Sequence, residues 1–194
     1  AGAALRERAD WGSDKFLLIQ GDFFGIQDFI FADGSQTNKA AAKLLRGRSF
    51  QVSLFTELAA LRVLDALALP PTSQITNAAG KFLIVAPNTE DARRELARVK
   101  SEINHWFLQH SFGLAGLGLV GKPASCNDFL KGNFKALMEG LFADLEKAKL
   151  QRFDLTAAQP VAFAVDYSVG ICQYNGRLPA DGAQVQGKAS AALS

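Results

Sequence analysis

Apolar positions along the chain follow two spacings. Together they predict four strands and three helices, with a fifth strand after the last helix. Compact apolar runs with turn residues at their ends predict strands, and these lie at 16–22, 73–76, 81–86 and 114–120. Apolar residues three and four positions apart predict helices over about 40–68, from Asn88 or Thr89 to about 107, and over 127–150. The order βαββαβ predicts an α+β, ferredoxin-like fold, with the last helix and a strand at 161–167 added at its end.

Each predicted helix carries an apolar stripe that we expect to be buried. In the long first helix the stripe is Phe50, Leu54, Leu58, Leu61 and Leu64. A second set widens it, so we expect this helix to be covered on two sides; the set is Val52, Phe55, Ala59 and Val63. The stripes of the other two helices are Ala92, Leu96, Val99, Ile103 and Phe107, then Leu130, Phe134, Leu137, Leu141 and Leu145.

The domain organisation follows from where this patterning starts and stops. Residues 1–15 are mixed and polar, which indicates a linker or the tail of an upstream domain. Residues 16–167 hold all the predicted elements, and they are numerous enough to form one domain with a substantial core. Residues 168–194 are small and polar, and we expect that they cannot bury themselves. We interpret them as a connector towards a missing partner domain.

The composition narrows the class of protein. The chain has 194 residues, of which 48% are hydrophobic and 21% charged, as in a soluble globular domain. The net charge is +2, so any nucleic-acid contact would need a local basic patch. Apolar runs are too short to span a bilayer, and two distant cysteines, Cys126 and Cys172, predict free thiols. We therefore expect a cytoplasmic protein without membrane contact.

The first candidate for chemistry is Asp22, a carboxylate that ends the first strand next to a glycine. Polymerase- and cyclase-type palms hold Mg²⁺ on such a carboxylate for phosphoryl transfer, and a two-metal site needs more than one acid. The hairpin at 77–81, where a second acid is expected, contains Lys81 and no acid. The sequence thus offers half of a metal site, and a turn or capping role for Asp22 is the alternative.

Glycines and basic residues around that strand end could contact phosphate. Gly21, Gly25 and Gly80 would let a phosphate approach main-chain N–H groups, although glycines are also common in ordinary turns. Basic residues early in the long helix could bind phosphate, arginine bidentately; this cluster is Lys43, Arg46 and Arg48, with Ser49 beside it. The alternative for the cluster is a solvated helix face.

Four segments in this order resemble one known domain. They are GDFFGIQDFIF (21–31), AAKLLRGRSFQVSLFTELA (41–59), NAAGKFLIVAPN (77–88) and SVGICQYNGRLPA (168–180). Together they resemble the first palm domain of the large, polymerase/cyclase-like subunit of type III-A CRISPR interference complexes, a subunit that is similar to GGDEF cyclases. The pair GD-x-x-GIQ-x-FI and LRGRSF carries the resemblance, which spans residues 15–180.

The resemblance implies a function shared with other domains. In that family an HD nuclease domain precedes this palm and a second palm with a GGDD motif follows it. When target RNA pairs with crRNA, the two palms convert ATP into cyclic oligoadenylate in antiviral defence. The resemblance thus implies an ATP-binding half, inactive alone, that uses Mg²⁺ in the full subunit. The implied partners are the second palm, the HD domain, other effector subunits and, indirectly, crRNA and target RNA.

The resemblance also implies which residues face the nucleotide. On the first strand and just after it they are Gly21, Asp22, Phe24, Gly25 and Gln27. On the hairpin they are Asn77, Ala78, Ala79, Gly80 and Lys81. The cluster Lys43, Arg46, Arg48 and Ser49 is the candidate for a phosphate or RNA contact.

Three departures from the family pattern keep alternatives open. Phe24 stands where the family has a small residue, and it would crowd the nucleotide pocket. Ala78 and Ala79 stiffen a hairpin that is normally glycine-rich. The zinc knuckle around Cys172 lacks its second cysteine, so we expect no zinc in this chain. The alternatives are a purely structural bridge within the CRISPR complex and a ferredoxin-like RNA-binding module; the uniformly apolar central strands argue against the latter.

Overall fold

The computed structural model describes residues 10–31, 41–153, 164–172 and 176–180, and its elements follow the predicted order. The strands are β1 (Phe16–Phe24), β2 (Gln74–Ala78), β3 (Lys81–Pro87) and β4 (Gly116–Ala124). The helices are α1 (Ile26–Ile30), α2 (Ala41–Ala66), α3 (Glu90–Ser111) and α4 (Asn133–Leu150). Short 3-10 turns at Pro71–Ser73 and Cys126–Phe129 precede β2 and α4. Helix α1 is a single turn that the apolar pattern did not predict.

The four strands form one antiparallel sheet in the order β2-β3-β1-β4. This is the order of a βαββαβ ferredoxin-like sheet, so the predicted fold class is confirmed. β1 lies inside the sheet, and its register places Asp22 opposite Lys81 of β3 on one side and Gly118 of β4 on the other. The C-terminal end of β1 therefore lies beside the β2–β3 hairpin.

Helices α2 and α3 cover one face of the sheet. Side chains alternate between the two faces of a strand, and Leu17, Ile19 and Ile84 all point to this face. Each is at most 1% exposed, and they pack in one cluster with Val63 of α2 and Val99 of α3. This cluster is the main core, and it fixes α2 over β1, β2 and β3 and α3 over β4.

The added helix α4 covers the other face of the sheet. Leu18 of β1 and Val85 of β3 pack there against Leu137 and Leu141 of α4. Strands buried on both faces need apolar residues at successive positions, which explains the continuous runs FLLIQ and FLIVA. In the described sheet, the central strands therefore offer no open aromatic face of the kind that RNA-binding modules use, and this counts against the RNA-binding alternative.

Most of the apolar stripe predicted for α2 does not face the sheet, so this prediction is largely wrong. The buried residues of this helix are Val52, Thr56, Ala59, Ala60, Val63 and Leu64. Four residues of the predicted stripe are exposed instead: Phe50 by 66%, Leu54 by 40%, Leu58 by 52% and Leu61 by 45%. Small buried residues allow the helix to approach the sheet closely. Within the described residues α2 thus has two apolar sides, of which the sheet covers one.

The last two helices agree better with the prediction. In α3 the residues Ala92, Leu96, Val99 and Phe107 are buried, and Thr89 is the cap, because its hydroxyl accepts a hydrogen bond from the Ala92 N–H. Helix α4 begins later than predicted, because Cys126–Phe129 form a 3-10 turn capped by Ser125 and Asp128. Consequently Leu137, Leu141 and Leu145 are buried as predicted, whereas Leu130 and Phe134 are exposed.

The segment after α4 departs most from the prediction. Residues 164–167 form no strand, and the rest of the predicted strand, 161–163, lies outside the described residues. So do 1–9 of the predicted linker and 181–194 of the predicted connector. The Cys172 N–H donates to the Leu178 carbonyl at 2.9 Å, and Cys172 is only 2% exposed. The described part of this segment therefore does bury residues.

Two smaller expectations can also be compared with the structure. Cys126 and Cys172 are both buried and neither forms a disulfide, as the sequence predicted. Across the described ranges, none of the helices combines the length and the apolar character that crossing a membrane requires.

Candidate functional site

The end of β1 and the β2–β3 hairpin meet at one corner of the sheet. The Phe23 N–H donates to the Gly80 carbonyl at 2.8 Å, which extends the β1–β3 ladder into the turn. The turn consists of Ala79 and Gly80, both in the left-handed region with φ of 54° and 80°. Such two-residue turns match the twist of paired strands. The structure thus brings both predicted groups of nucleotide contacts, Gly21 to Gly25 and Asn77 to Lys81, to the same corner.

Two of the predicted glycines are required by packing at this corner. A Cβ on Gly21 would overlap the ring of Phe82, with Cδ1 at 2.9 Å and the ring edge closer still. A Cβ on Gly25 would lie 2.5 Å from the Leu114 carbonyl oxygen, and Gly25 has a φ of 74° at the start of α1. These contacts explain the glycines without a ligand, and their predicted role in nucleotide binding stays a prediction.

Asp22 is buried and paired with two lysines. Its side chain is 6% exposed, and its Oδ2 lies 2.8 Å from the Nζ of Lys149 and 3.6 Å from the Nζ of Lys81. Lys149, near the end of α4, also contacts Glu146 at 2.7 Å. Lys149 can cross β4 because Gly118 has no side chain; a Cβ there would lie 3.1 Å from the Lys149 Cγ.

The charges around Asp22 set the protonation of the lysine. Burial alone lowers the pKa of the Lys149 ammonium, because it disfavours the charged form. Hydrogen bonds to Asp22 and Glu146 outweigh burial, so the pKa of Lys149 is raised. The lysine therefore stays charged at neutral pH, and the buried carboxylate has a permanent counter-ion.

These residues do not fit a magnesium site. Mg²⁺ prefers several oxygen ligands, and the described residues hold no group of three or more His, Cys, Asp or Glu placed to share a metal. Each ammonium near Asp22 would repel a cation by about 4 kcal/mol per unit charge at ~4 Å and an effective dielectric constant of ~20. Asp22 as a metal ligand stays a prediction, and this geometry argues against it.

Phe24 packs at the same corner, on the Asp22 side of the sheet. Its ring lies where a Cβ on Gly116 would be, 3.0 Å or less from two ring atoms. The guanidinium of Arg152, just after α4, lies 4.8 Å from the centre of the Phe24 ring and donates to the Gly113 carbonyl at 2.6 Å. Phe24 therefore occupies part of the corner itself, and its crowding of a nucleotide pocket stays a prediction.

The predicted basic cluster of α2 is divided between two roles. Arg48 is half-buried, and its Nη1 donates to the Ile30 carbonyl at the end of α1 at 3.1 Å. Its burial lowers the pKa of the guanidinium from a very high ordinary value, so it remains charged. Lys43, Arg46 and Ser49 are exposed, and the Arg46 Nε donates to Ala42 of its own helix. Arg48 is a structural contact, and the others lie on a solvated face.

The remaining predicted contacts lie at the rim of the corner. Ala78 and Ala79 are exposed, and Gln27 is exposed on α1. The Asn77 side-chain amide donates to the Glu57 carboxylate of α2, which connects the hairpin to the exposed side of that helix. Sequence reasoning missed Lys149 and Arg152, because they lie more than 120 residues from Asp22 and only the packing of α4 brings them close.

Comparison with known proteins identifies the family. The domain family described as Csm1 subunit domain B matches residues 15–164 of this chain. The chain belongs to this family. A similar protein from Thermococcus onnurineus, named CRISPR system single-strand-specific deoxyribonuclease Cas10/Csm1 (subtype III-A), is 34% identical over 147 residues, covering 72% of this chain and 18% of that protein. The protein of the same name from Mycobacterium tuberculosis is 30% identical, covering 66% of this chain and 16% of its own length.

Solved structures of Csm1 with Csm4 share the fold of this domain B. The apo Csm1-Csm4 cassette has a TM-score of 0.66 at 30% identity, covering 77% of this chain and 20% of that chain. The cassette in complex with AMPPNP has a TM-score of 0.63 at 30% identity, and the one with cA3 has 0.65 at 30%. The two matches cover 73% and 76% of this chain, and in each case 20% of the chain in the solved structure. The chain thus spans less than a fifth of its curated relatives and a fifth of these structures.

Proposed function

We propose that this domain is the ATP-binding, catalytically incomplete palm half of a type III-A CRISPR large subunit. With a second palm that carries a GGDD motif, it would make cyclic oligoadenylate from ATP when target RNA is recognised. The observation that carries the proposal is the corner where Asp22, Lys81 and Lys149 meet beside the hairpin turn. Structures about 30% identical to this chain that hold AMPPNP and cA3 support it.

The corner has the chemistry that a nucleoside triphosphate needs. Lys81 is 56% exposed at the start of β3, so its ammonium can reach a phosphate outside the fold. The exposed main chain of Ala79 lies beside it in the turn. Lysine binds phosphate as a point charge with three donors. These groups would hold the nucleotide, and bound ATP would supply the adenylyl group of the reaction, with pyrophosphate as the leaving group.

The same corner explains why the domain would be inactive alone. The hairpin carries no acid, and the acid of β1 is paired with lysines. A palm that transfers nucleotidyl groups needs more than one carboxylate to hold two metal ions. In this proposal the Mg²⁺ ligands therefore come from the GGDD motif of the second palm, and this domain contributes positive charge and the shape of the pocket.

The exposed side of α2 is the surface that we propose for the second palm. Leu54, Leu58 and Leu61 form an uncovered apolar row. Glu57 lies in the middle of this row and accepts a hydrogen bond from the Asn77 amide, so the row continues to the hairpin, on the face of the sheet opposite Lys149. A partner on this row would place its own residues against a nucleotide at the hairpin. The HD domain and a Csm4-type subunit would be further partners, with crRNA and target RNA contacted through the assembly.

Nucleotide binding by the natural full-length protein tests the proposal. Isothermal titration with AMPPNP should show that Lys81→Met weakens binding by about tenfold or more, since one charge-assisted hydrogen bond contributes roughly 1.5–3 kcal/mol. Lys135→Met, an exposed lysine of α4 whose contact is Glu139, is the matched control and should bind normally. Wild-type protein that binds no AMPPNP would refute the proposal.

The purely structural bridge remains the second candidate because of Phe24. Its ring and the Arg152 guanidinium fill part of the space beside Asp22. If the domain only connects its neighbours, Phe24→Ala should leave AMPPNP binding absent, as in the wild type. If Phe24 narrows a working pocket, the same substitution should change the measured affinity.

A further inference from the structure

We propose that Asp22 is a positioning residue for a two-lysine seat that takes the polyphosphate of the nucleotide, and that it is not a ligand of Mg²⁺. The inference rests on the proposed function and names the groups that meet the substrate at the same corner. The observation behind it is that the buried carboxylate contacts two ammonium groups from different elements, at 2.8 Å and 3.6 Å.

The two lysines differ in a way that suits this arrangement. Lys149 is 20% exposed and lies closer to Asp22, so it is held in place by the carboxylate. Lys81 is 56% exposed and farther from it, so it can turn towards solvent while remaining beside Asp22. One lysine is thus fixed and the other adjustable, and their ammonium groups face the same corner.

The exposed ammonium of Lys81 is the part of this group that an anion can reach. Lys149 neutralises the buried carboxylate of Asp22, and the positive charge of Lys81 is then left over at the rim. Glu146, which also contacts Lys149, is 70% exposed, so water screens most of its charge. The contacts to Asp22 and Glu146 account for two of the three N–H donors of Lys149. The two ammonium groups balance the two carboxylates, so a polyphosphate would meet the exposed ammonium of Lys81 and the remaining donor of Lys149.

The fold is arranged to allow this contact. Register pairing sets Lys81 opposite Asp22 and Gly118 on the other side. The missing side chain of Gly118 lets Lys149 cross β4, and Leu145 of the same helix lies against that glycine. Removing the carboxylate would leave two ammonium groups near each other with only the exposed Glu146 beside Lys149, and they would move apart. Asp22 therefore acts through the lysines.

The experiment measures AMPPNP binding by the natural full-length protein, with Mg²⁺ and in excess EDTA. We expect Asp22→Asn and Lys149→Met each to weaken binding by about tenfold in both conditions. The double variant should be no weaker than the worse single variant, because both changes remove the same arrangement. Lys147→Met, an exposed lysine of the same helix, should bind like wild type. Inorganic tripolyphosphate should compete in EDTA, and adenosine should not.

Two controls test whether a loss of binding is caused by misfolding. Thermal unfolding of each variant shows whether it remains native, and Lys149→Arg, which keeps the positive charge, should recover most of the binding. Binding by Asp22→Asn that is weakened only when Mg²⁺ is present, together with normal binding by Lys149→Met, would overturn the inference and make Asp22 a metal ligand. Normal binding by both variants would overturn it and leave the proposed function intact. Wild type without AMPPNP binding would overturn both.

Discussion

Replacing Gly21 by alanine tests whether this glycine serves packing or a ligand. Gly21 lies on β1 opposite Phe82 of β3, and a Cβ there would lie 2.9 Å from the Phe82 Cδ1 and closer to the ring edge. Real Cβ atoms do not make such contacts, so one of the two residues must move. Phe82 is 1% exposed in the main core, and its ring has no free space to move into.

The expected cost follows from overpacking. Forcing a methyl group into a packed core costs about 1–3 kcal/mol. For a domain of this size, 1 kcal/mol shifts Tm by about 2–4 °C, so Gly21→Ala should lower Tm by about 2–12 °C. Phe82→Leu replaces the ring with a shorter aliphatic side chain. In that background the added cost of Gly21→Ala should be smaller, because the two residues share one contact.

The control is a glycine in open space. Gly47 is an exposed residue of α2, and a Cβ there would meet nothing within 4 Å. Alanine in an exposed helix interior is about 0.8–1 kcal/mol more favourable than glycine, so Gly47→Ala should raise Tm by about 2–4 °C. The assay is thermal unfolding followed by circular dichroism, and the two glycines should give shifts of opposite sign.

The outcome that contradicts this reasoning is specific. If Gly21→Ala leaves Tm unchanged but abolishes AMPPNP binding by the full-length protein, the glycine is needed for a close ligand approach. Phe82 would then not be the reason for it. If Tm falls as expected and the folded variant binds normally, Gly21 is a packing residue and should be removed from the candidate nucleotide contacts.

Two further predictions concern the surface of α2 and the charge of Lys149. Leu58→Glu should leave the Tm of this chain within about 1–2 °C but lower oligoadenylate yield of the full-length protein. Leu150→Glu, at an 87% exposed position, is the control and should change neither Tm nor yield. A large loss of Tm in Leu58→Glu would contradict the prediction, because it would show that Leu58 is buried within this chain. The pKa of Lys149 is raised on folding, so its charged form stabilises the folded state. This contribution to folding stability is complete below the unfolded lysine pKa of about 10.4, and it is lost as pH rises through the folded pKa. Wild type should therefore lose more Tm above about pH 10 than Lys149→Met, and equal losses would contradict the pairing.

The fold was predictable because its signals are local. The continuous apolar runs of β1 and β3 and the short turn at Ala79 and Gly80 determine the hairpin and the strand order. Thr89 also follows from sequence, as one of two named caps of α3. These features depend on residues close together in the chain, and local propensity and tertiary packing agree there.

The buried side of α2 was not predictable in the same way. Apolar residues recur at helical spacing on both sides, so periodicity alone cannot choose between the row of Leu54, Leu58 and Leu61 and the row of Ala59 and Val63. Both rows were expected to be buried. The structure buries the smaller residues, because a helix packed flat on a sheet needs short side chains at the contact, and the large ones are exposed.

The chemistry of Asp22 depends on residues that sequence distance hides. A carboxylate at a strand end with an acid-free hairpin could hold a metal, cap a turn or hold lysines, and the local sequence is the same in all three cases. The packing of α4 decides between them. Because Gly118 has no side chain, Lys149 extends across β4 and contacts Asp22. Lys81 was the available signal, because it replaces the expected second acid opposite Asp22. We therefore propose that this corner binds a phosphate chain and that the metal ligands come from the second palm.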